Sequence, residues 1–257
     1  MSALARLKAA AASWVDLESA LLKEALEDVA PLAHGRLLDV GCGAKPYEDL
    51  FRAHVTSYVG VEYRDTFSET AASSTATTGG KGPDHYYDGG RMPFDDGAFD
   101  TVVSFQVLEH TPDPEGLLRE MARVLKKDGL LILTAPFSFR LHEEPHDYFR
   151  FTPHGLRFLC DKVGFDVRSI TGRGSLWSLI GHKLNTFLAF DVAGARAAAI
   201  DAGSGRQEKS AEGKTRLWTL PFVGPAMIGI GGMARLLDKA AHVPTETLGY
   251  VVVATKK

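Results

Sequence analysis

A chain of 257 residues with a formal net charge of -3 is long enough for one large α/β domain or a domain with a sizeable insertion. That charge excludes a surface built mainly to neutralise nucleic-acid phosphates. The two cysteines, Cys42 and Cys160, cannot form a metal cluster by themselves. They fall in a glycine turn and a predicted helix, which fits free thiols in a reducing compartment.

The first fifteen residues carry Arg6 and Lys8 before an alanine run. The apolar part is short and runs into Asp16 and Glu18, so it reads as the start of an amphipathic helix and not as an export signal. Trp14, Leu17, Leu21, Leu22, Ala25, Leu26 and Val29 recur at helical spacing and predict a helix over 13–30, closed by Pro31 and Gly35. Apolar runs at 36–40, 57–61, 99–105 and 130–135 predict strands separated by helices or loops, with a weaker strand at 85–88. That alternation predicts a parallel, doubly wound sheet. The Ser/Thr/Gly-rich stretch 66–82 stands where a crossover helix is expected and reads as a loop. A helix over 152–163, a strand over 165–170 and a final strand over 248–254 follow.

Between the last two strands lies an insertion, 171–247. Leu176, Leu179, Ile180, Leu184, Phe187 and Leu188 form a helical apolar stripe, and 203–215 reads as a polar link. The run 218–234 has no charged side chain and stands at the lower length limit for a membrane span. Pro221, Gly224, Pro225, Gly229, Gly231 and Gly232 make it a poor continuous helix. One crossing would also strand 248–254 away from its sheet. A buried or lid-forming helical pair is therefore the expectation. The same apolar composition suits a dimer interface or contact with a membrane surface.

The densest signal is Asp39-Val40-Gly41-Cys42-Gly43-Ala44-Lys45-Pro46 after the first strand. A bare backbone turn at the carboxyl edge of a sheet, with Pro46 predicted in the first turn of a helix, marks a site for a nucleotide-like ligand. An NTPase phosphate loop fails because Lys45 is followed by Pro46 and not by Ser or Thr. A dinucleotide fingerprint fails because Pro46 occupies the place of its third glycine. S-adenosylmethionine, with no pyrophosphate, needs close backbone approach and a carboxylate for its ribose. Glu62, at the end of the second strand and 21 positions after Gly41, supplies that carboxylate. Asp88 is placed to meet an adenine amino group.

Four motifs in order, Asp39–Gly43, Met92-Pro93-Phe94-Asp95-Asp96-Gly97-Ala98-Phe99-Asp100, Val107-Leu108-Glu109-His110 and Arg123–Gly129, resemble the class I S-adenosylmethionine-dependent methyltransferases, specifically the type 11 methyltransferase domain. The resemblance covers about 36–135 and implies a Rossmann-like, mostly parallel seven-stranded sheet whose last strand, 248–254, runs antiparallel. It implies that Asp39, Gly41 and Gly43, with Cys42 between them, line the methionine end of the cofactor. Glu62, with Tyr63 beside it, would bind the ribose, Asp88 with Gly89 would flank the adenine, and Gln106 would pass close by. Tyr47 either covers the methionine end or packs the first helix. Lys127-Asp128-Gly129 replaces the family's usual Lys-Pro-Gly turn.

Methyl transfer from a sulfonium depends on positioning and water exclusion, and a hydroxyl acceptor gains from a general base. Three histidines follow strands four and five: His110, His142 and His146. His142-Glu143-Glu144-Pro145-His146 matches the zinc pattern His-Glu-x-x-His, but Pro145 breaks the helix that pattern needs, so no metal site is expected. The string 136–152 resembles a subgroup of the same family in which this loop borders the acceptor pocket. That resemblance makes His146 or His142 the base, Asp147 or Glu143 its orienting group, and Tyr148 or Arg150 a substrate contact; the alternative is a structural loop. His110 reads as a capping or orienting residue more than as a catalyst. The charges of Glu115, Arg119, Glu120 and Arg123 read as a solvated helix face.

The expectation is thus a single methyltransferase domain over 1–257: an N-terminal helix (1–35), a cofactor-binding core (36–171), a helical insertion (172–247) and a final strand (248–257). Its acceptor would be a small molecule, a sugar or a lipid-linked compound, methylated on oxygen, with no nucleic-acid partner. A cytoplasmic location is expected, or one peripheral to the inner face of a membrane, with 172–247 as lid, membrane contact or homodimer interface. Two rivals stand beside it: an NAD-dependent oxidoreductase, which shares the sheet and Glu62 but not Pro46, and a non-catalytic cofactor-binding scaffold.

Overall fold

The computed structural model describes residues 11–64, 82–194 and 216–257. In chain order the elements are α1 (Leu17–Val29), β1 (Arg36–Val40), α2 (Glu48–Phe51), β2 (Ser57–Tyr63), β3 (His85–Tyr87), β4 (Phe99–Phe105), α3 (Pro114–Val124), β5 (Leu125–Pro136), α4 (Pro153–Lys162), β6 (Phe165–Arg173), α5 (Leu176–Phe187), α6 (Leu220–Ala240) and β7 (Gly249–Lys256). They divide into two compact units: Leu26–Thr171 with Gly249–Lys257, and the described parts of Met1–Ala25, Gly172–Ala199 and Glu208–Leu248. The polar stretches 66–81 and 203–215 lie outside the described residues.

The first unit is built on a seven-stranded sheet of order β3-β2-β1-β4-β5-β7-β6. The pairs β2–β3, β1–β2, β1–β4 and β4–β5 are parallel, and β7 pairs antiparallel with β5, Leu133 opposite Val252. This is the mostly parallel, Rossmann-like sheet expected, with the last strand in the expected antiparallel place. The central strands are buried along most of their length, as near-continuous apolar runs covered on both faces require: Leu37, Leu38 and Val40 of β1, Val102 and Val103 of β4, and Leu131 and Ile132 of β5 are each 0% exposed. Strand order reverses between β1 and its two neighbours, so the loops after β1 and β4 diverge and open a crevice at the carboxyl edge.

The helices carry the cap chemistry their sequences announce. Asp113 accepts from the Gly116 N–H at 2.9 Å with Pro114 in the first turn of α3. Thr152 does the same for α4 through Gly155 N–H at 3.0 Å. Helix α3 buries Leu117, Leu118, Met121 and Ala122 against the sheet. Its charges are not merely a solvated face. The Arg123 guanidinium donates to the carbonyls of Phe94 (2.8 Å) and Met92 (3.1 Å), and Glu120 accepts from the Met92 N–H at 3.0 Å. The motif 92–97 is therefore pinned to α3 by side chains that a solvated face would leave idle.

Two local expectations are corrected. Pro46 does not begin a helix: Lys45 is left-handed (φ 56) and reverses the chain ahead of it, and the helix that follows, α2, is only four residues long. The turn Lys127-Asp128-Gly129 lies inside β5 as an irregularity, since Phe99 pairs with Leu125 but Thr101 pairs with Leu130; Asp128 adopts φ 60.

In the second unit α5 and α6 pack together. The run 218–234 was expected as a broken pair, but α6 is one continuous helix of 21 residues with Pro225 inside it. Small residues let this unit close tightly: a Cβ on Gly231 would fall 1.7 Å from the Trp14 carbonyl oxygen, and one on Gly181 would fall 2.7 Å from Ala234 Cβ. Asn185 donates to the carbonyls of Trp14 (3.0 Å), Val15 (3.1 Å) and Met227 (3.2 Å), and the hydroxyls of Ser175 and Ser178 donate to Asp238. The fully buried Arg173 pairs with Glu18 at 2.7 Å. By length and composition Leu217–Ala240 is apolar enough to cross a membrane, and Trp218 and Phe222 are each 74% exposed.

Candidate active site

The carboxyl edge of β1, β2 and β4 opens a cleft of about 470 Å³. Its floor begins at the glycine turn. Gly41 and Cys42 donate their N–H groups to the Val61 carbonyl at 2.9 and 3.3 Å, which ties the turn to β2. Gly41 stands at φ 74, and a Cβ there would meet Val107 Cγ2 at 2.4 Å. Only glycine fits between the turn and the segment that follows β4. Gly43 donates to Glu62 Oε2 at 2.7 Å, so the carboxylate at the end of β2 meets the turn as the spacing predicted.

Beneath the turn lies a partly buried layer whose residues do not line the cleft. Tyr58 donates its hydroxyl to Asp39 Oδ2 at 2.5 Å, and Asp39 is 2% exposed. Burial pushes the Asp39 carboxyl up to about 7, against the opposing pull of the Tyr58 hydrogen bond. Asp39 therefore supports the turn from below and does not line the cleft. The Cys42 thiol is buried beside Gly60, and burial raises it far above its ordinary range. Lys45 reaches under the turn to Asp84 at 2.5 Å, and Asp84 also accepts the Gly60 N–H at 2.7 Å. The Lys45–Asp84 strut is nearly silent in the sequence. Its one signal is Gly60 between Val59 and Val61 inside β2, where a Cβ would lie 2.5 Å from Lys45 Cε and 2.6 Å from Cys42 Sγ. Tyr47 packs edge-on against Phe105 at 5.5 Å and is not a lining residue.

Along one wall Glu62, Tyr63, Tyr87 and Gly89 line the cleft. Asp88 stands next to them, exposed, its carboxylate accepting the Gly90 N–H at 3.2 Å, and is not itself a lining residue. Gln106 lines the opposite side with φ 55, held there as its side-chain amide donates to Thr134 Oγ1 at 3.0 Å. Of the three histidines, His110 and His146 line the cleft together with Glu143 and Tyr148, while His142 does not.

The histidine loop is docked onto the end of β4 by backbone bonds. The Glu109 carbonyl accepts the N–H groups of Tyr148 (2.9 Å) and Phe149 (3.3 Å), and His110 Nδ1 stands 2.9 Å from the His146 carbonyl. His146 Nδ1 lies 3.0 Å from the Tyr148 hydroxyl. Asp147 is clamped by Arg150 through two bonds of 2.6 and 2.7 Å, and accepts the His142 N–H at 3.0 Å. Burial raises the Asp147 carboxyl, but the Arg150 and His142 bonds outweigh it and hold it at about 2. The remaining Arg150 bonds run to the carbonyls of Phe139, Arg140 and Phe149, so Arg150 folds the loop and is not presented to the cleft. Residues 142–147 are not helical, and His142 and His146 do not share a helix face. Burial first, then the neighbouring His110, lowers the His142 pKa, which favours its neutral form.

The matched family model is the methyltransferase domain, over residues 38–133. The chain is 34% identical over 131 residues to 27-O-demethylrifamycin SV methyltransferase of Amycolatopsis mediterranei, covering 47% of this chain and 48% of that protein. It is 27% identical over 165 residues to ubiquinone biosynthesis O-methyltransferase of Neisseria meningitidis, covering 56% and 68%. Over residues 38–133 this chain carries a methyltransferase domain of the S-adenosylmethionine-dependent kind. Among solved structures, the [4+2]-cyclase SpnF superposes with a TM-score of 0.51 at 21% identity, covering 90% of this chain and 79% of that one, which speaks for the fold alone. The chain spans less than half the length of the curated relatives it matches at 30% identity or better.

The cleft of this methyltransferase domain fits the family's cofactor. Its volume falls within the roughly 300–1,000 Å³ of small-molecule sites. Bare backbone at Gly41, Gly43 and Gly89 leaves room where side chains would intrude. The described lining residues include Glu62, Asp113 and Glu143 but neither lysine nor arginine. A carboxylate-lined wall suits a sulfonium cation and ribose hydroxyls, and it repels the pyrophosphate of a dinucleotide.

Proposed function

We propose that this chain transfers a methyl group to a hydroxyl of a small-molecule, sugar or lipid-linked acceptor, with His146 as general base. The observation that carries the reading is the meeting of the two halves of the site: His146 and Tyr148 line the same cleft as Gly41, Gly43 and Glu62. The names of the two O-methylating relatives support oxygen as the acceptor atom.

When bound, S-adenosylmethionine would supply an electrophilic methyl carbon to the acceptor oxygen and a sulfide leaving group that keeps the electron pair of the broken bond. Glu62 would accept hydrogen bonds from the ribose hydroxyls, and the turn at Gly41–Gly43 would hold the amino-acid end by close backbone approach. In the tautomer whose Nδ1–H donates to the Tyr148 oxygen, His146 Nε2 carries the lone pair and takes the acceptor's proton. Asp147 and Arg150 lock the loop that presents it, and Tyr148 flanks the acceptor. General-base assistance contributes about 10²–10⁴-fold to such a step.

The test is transfer of labelled methyl from S-adenosylmethionine to a panel of hydroxyl acceptors, followed by His146→Ala. The expected result is turnover reduced at least tenfold with cofactor affinity unchanged. Equal turnover in wild type and variant removes His146 as the base, and labelling only of amines overturns oxygen methylation.

A further inference from the structure

Behind the wall that carries His146 lies a second cluster. One carboxylate oxygen of Glu109 and one ring nitrogen each of His110 and His142 lie within 4.8 Å of one another. Glu109 is 0% exposed, and the two imidazoles meet edge to face with centroids 4.6 Å apart. His110 Nε2 is 3.9 Å from Glu109 Oε1 and 3.9 Å from Glu143 Oε2, too far for hydrogen bonds.

The far side of each ring fixes its tautomer. His110 Nδ1 faces the His146 carbonyl at 2.9 Å, and a carbonyl can only accept, so Nδ1 carries the proton and Nε2 the lone pair. His142 Nδ1 faces the Arg140 carbonyl at 3.2 Å and Asp147 Oδ2 at 3.3 Å, with the same consequence. Both rings thus have the outer partner, a carbonyl or carboxylate on Nδ1–H, that orients metal-ligating histidines. The inner side gathers lone pairs and a buried carboxylate with a second carboxylate, Glu143, close by. Glu143 is held at φ 52, a conformation rare for a residue with a side chain and concentrated at functional positions.

We propose that Glu109, His110 and His142 form a binding site for a divalent first-row transition cation of the zinc class. Two imidazole nitrogens and one carboxylate oxygen are the donor set of open zinc and related sites. Tetrahedral ligands at ~2.0–2.1 Å from zinc stand ~3.3 Å apart, so rotation of the three side chains draws the cluster inward by about an ångström. His110 and Glu143 also line the cleft, so a cation held by this set would border it. A cation there lowers the pKa of a hydroxyl or water it contacts. The zinc pattern read from the sequence paired His142 with His146; this set pairs His142 with two residues more than thirty positions away, in the segment after β4.

The site is tested on the whole chain, independently of methyl transfer. Chelator-treated protein is titrated with Zn²⁺ by calorimetry and with Co²⁺ by visible absorption. The expected result is one equivalent per chain, with cobalt ligand-field bands that Zn²⁺ displaces. His142→Gln and Glu109→Gln should each weaken Zn²⁺ binding by more than the ~10–100-fold that loss of an outer partner costs, and His146→Gln should not. Circular dichroism checks that each variant is folded, and His110→Gln replaces any that is not. No saturable uptake by the wild type overturns the proposal, as does uptake that all three ligand variants leave unchanged. S-adenosylmethionine affinity, measured in the same samples, reports on the proposed transferase separately.

Discussion

Asp39 sits under the glycine turn with the Tyr58 hydroxyl as its short partner, and burial pushes its carboxyl from the ordinary value of 3.8 to about 7. The folded state therefore holds a proton on Asp39 over a pH range in which the unfolded chain has lost it. Stability then falls as pH rises, because the native state binds more protons between the two pKa values. From pH 5 to pH 8 the linkage removes about 2.7 kcal/mol, most of it below pH 7. Asp39→Asn abolishes the titration and leaves the Tyr58 hydroxyl an acceptor. Urea unfolding of wild type and Asp39→Asn at half-unit steps from pH 5 to pH 8 isolates this group, because carboxylates held low elsewhere, such as Asp84 and Asp147, cancel in the difference. The stability of the wild type relative to Asp39→Asn should decline by that amount and flatten above pH 7. A difference independent of pH, or one that rises with pH, refutes the assignment of a protonated Asp39.

Gly41→Ala places a Cβ 2.4 Å from Val107 in a left-handed backbone; strain of ~1–2 kcal/mol and overpacking of ~1–3 kcal/mol should lower the melting temperature by about 5–15 °C and weaken S-adenosylmethionine binding, and an unchanged melting temperature would contradict the close approach. Arg173→Met leaves Glu18 without its buried partner and should cost ~3–5 kcal/mol in denaturant unfolding, while Arg173→Met with Glu18→Leu should recover most of that loss; equal stabilities for single and double variants would show that the pair is not coupled.

The parts of the site legible in the sequence are those in which a residue type is costly unless used. Gly41, Gly43 and Glu62 were readable because a Gly-x-Gly turn and a strand-end carboxylate have few structural reasons to recur at that spacing. The sheet was readable because buried parallel strands are unbroken apolar runs. The supporting layer was hidden, because Lys45 and Asp84 are 39 positions apart and neither is unusual alone; only Gly60 hinted that something packs beneath the turn. Arg150 illustrates a different limit. Its position in the histidine loop suggested a substrate contact, but side-chain direction decides, and its guanidinium turns inward to Asp147 and the loop carbonyls. Helix α6 ran against its own propensities. Its glycines lower helix stability in isolation, but Gly231 permits close approach to Trp14, Gly181 of α5 admits Ala234, and tertiary packing prevailed.

The central claim is that the turn at Gly41–Gly43 and the carboxylate of Glu62 hold a sulfonium nucleoside and not a dinucleotide. Calorimetric titration of the whole chain with S-adenosylmethionine, its demethylated product and NAD in parallel tests it most directly. Saturable binding of the first two at one per chain is expected, weakened about tenfold or more by Glu62→Gln through loss of charge-assisted hydrogen bonds, with no binding of NAD. Binding of NAD in place of S-adenosylmethionine, or S-adenosylmethionine affinity indifferent to Glu62→Gln, would contradict it.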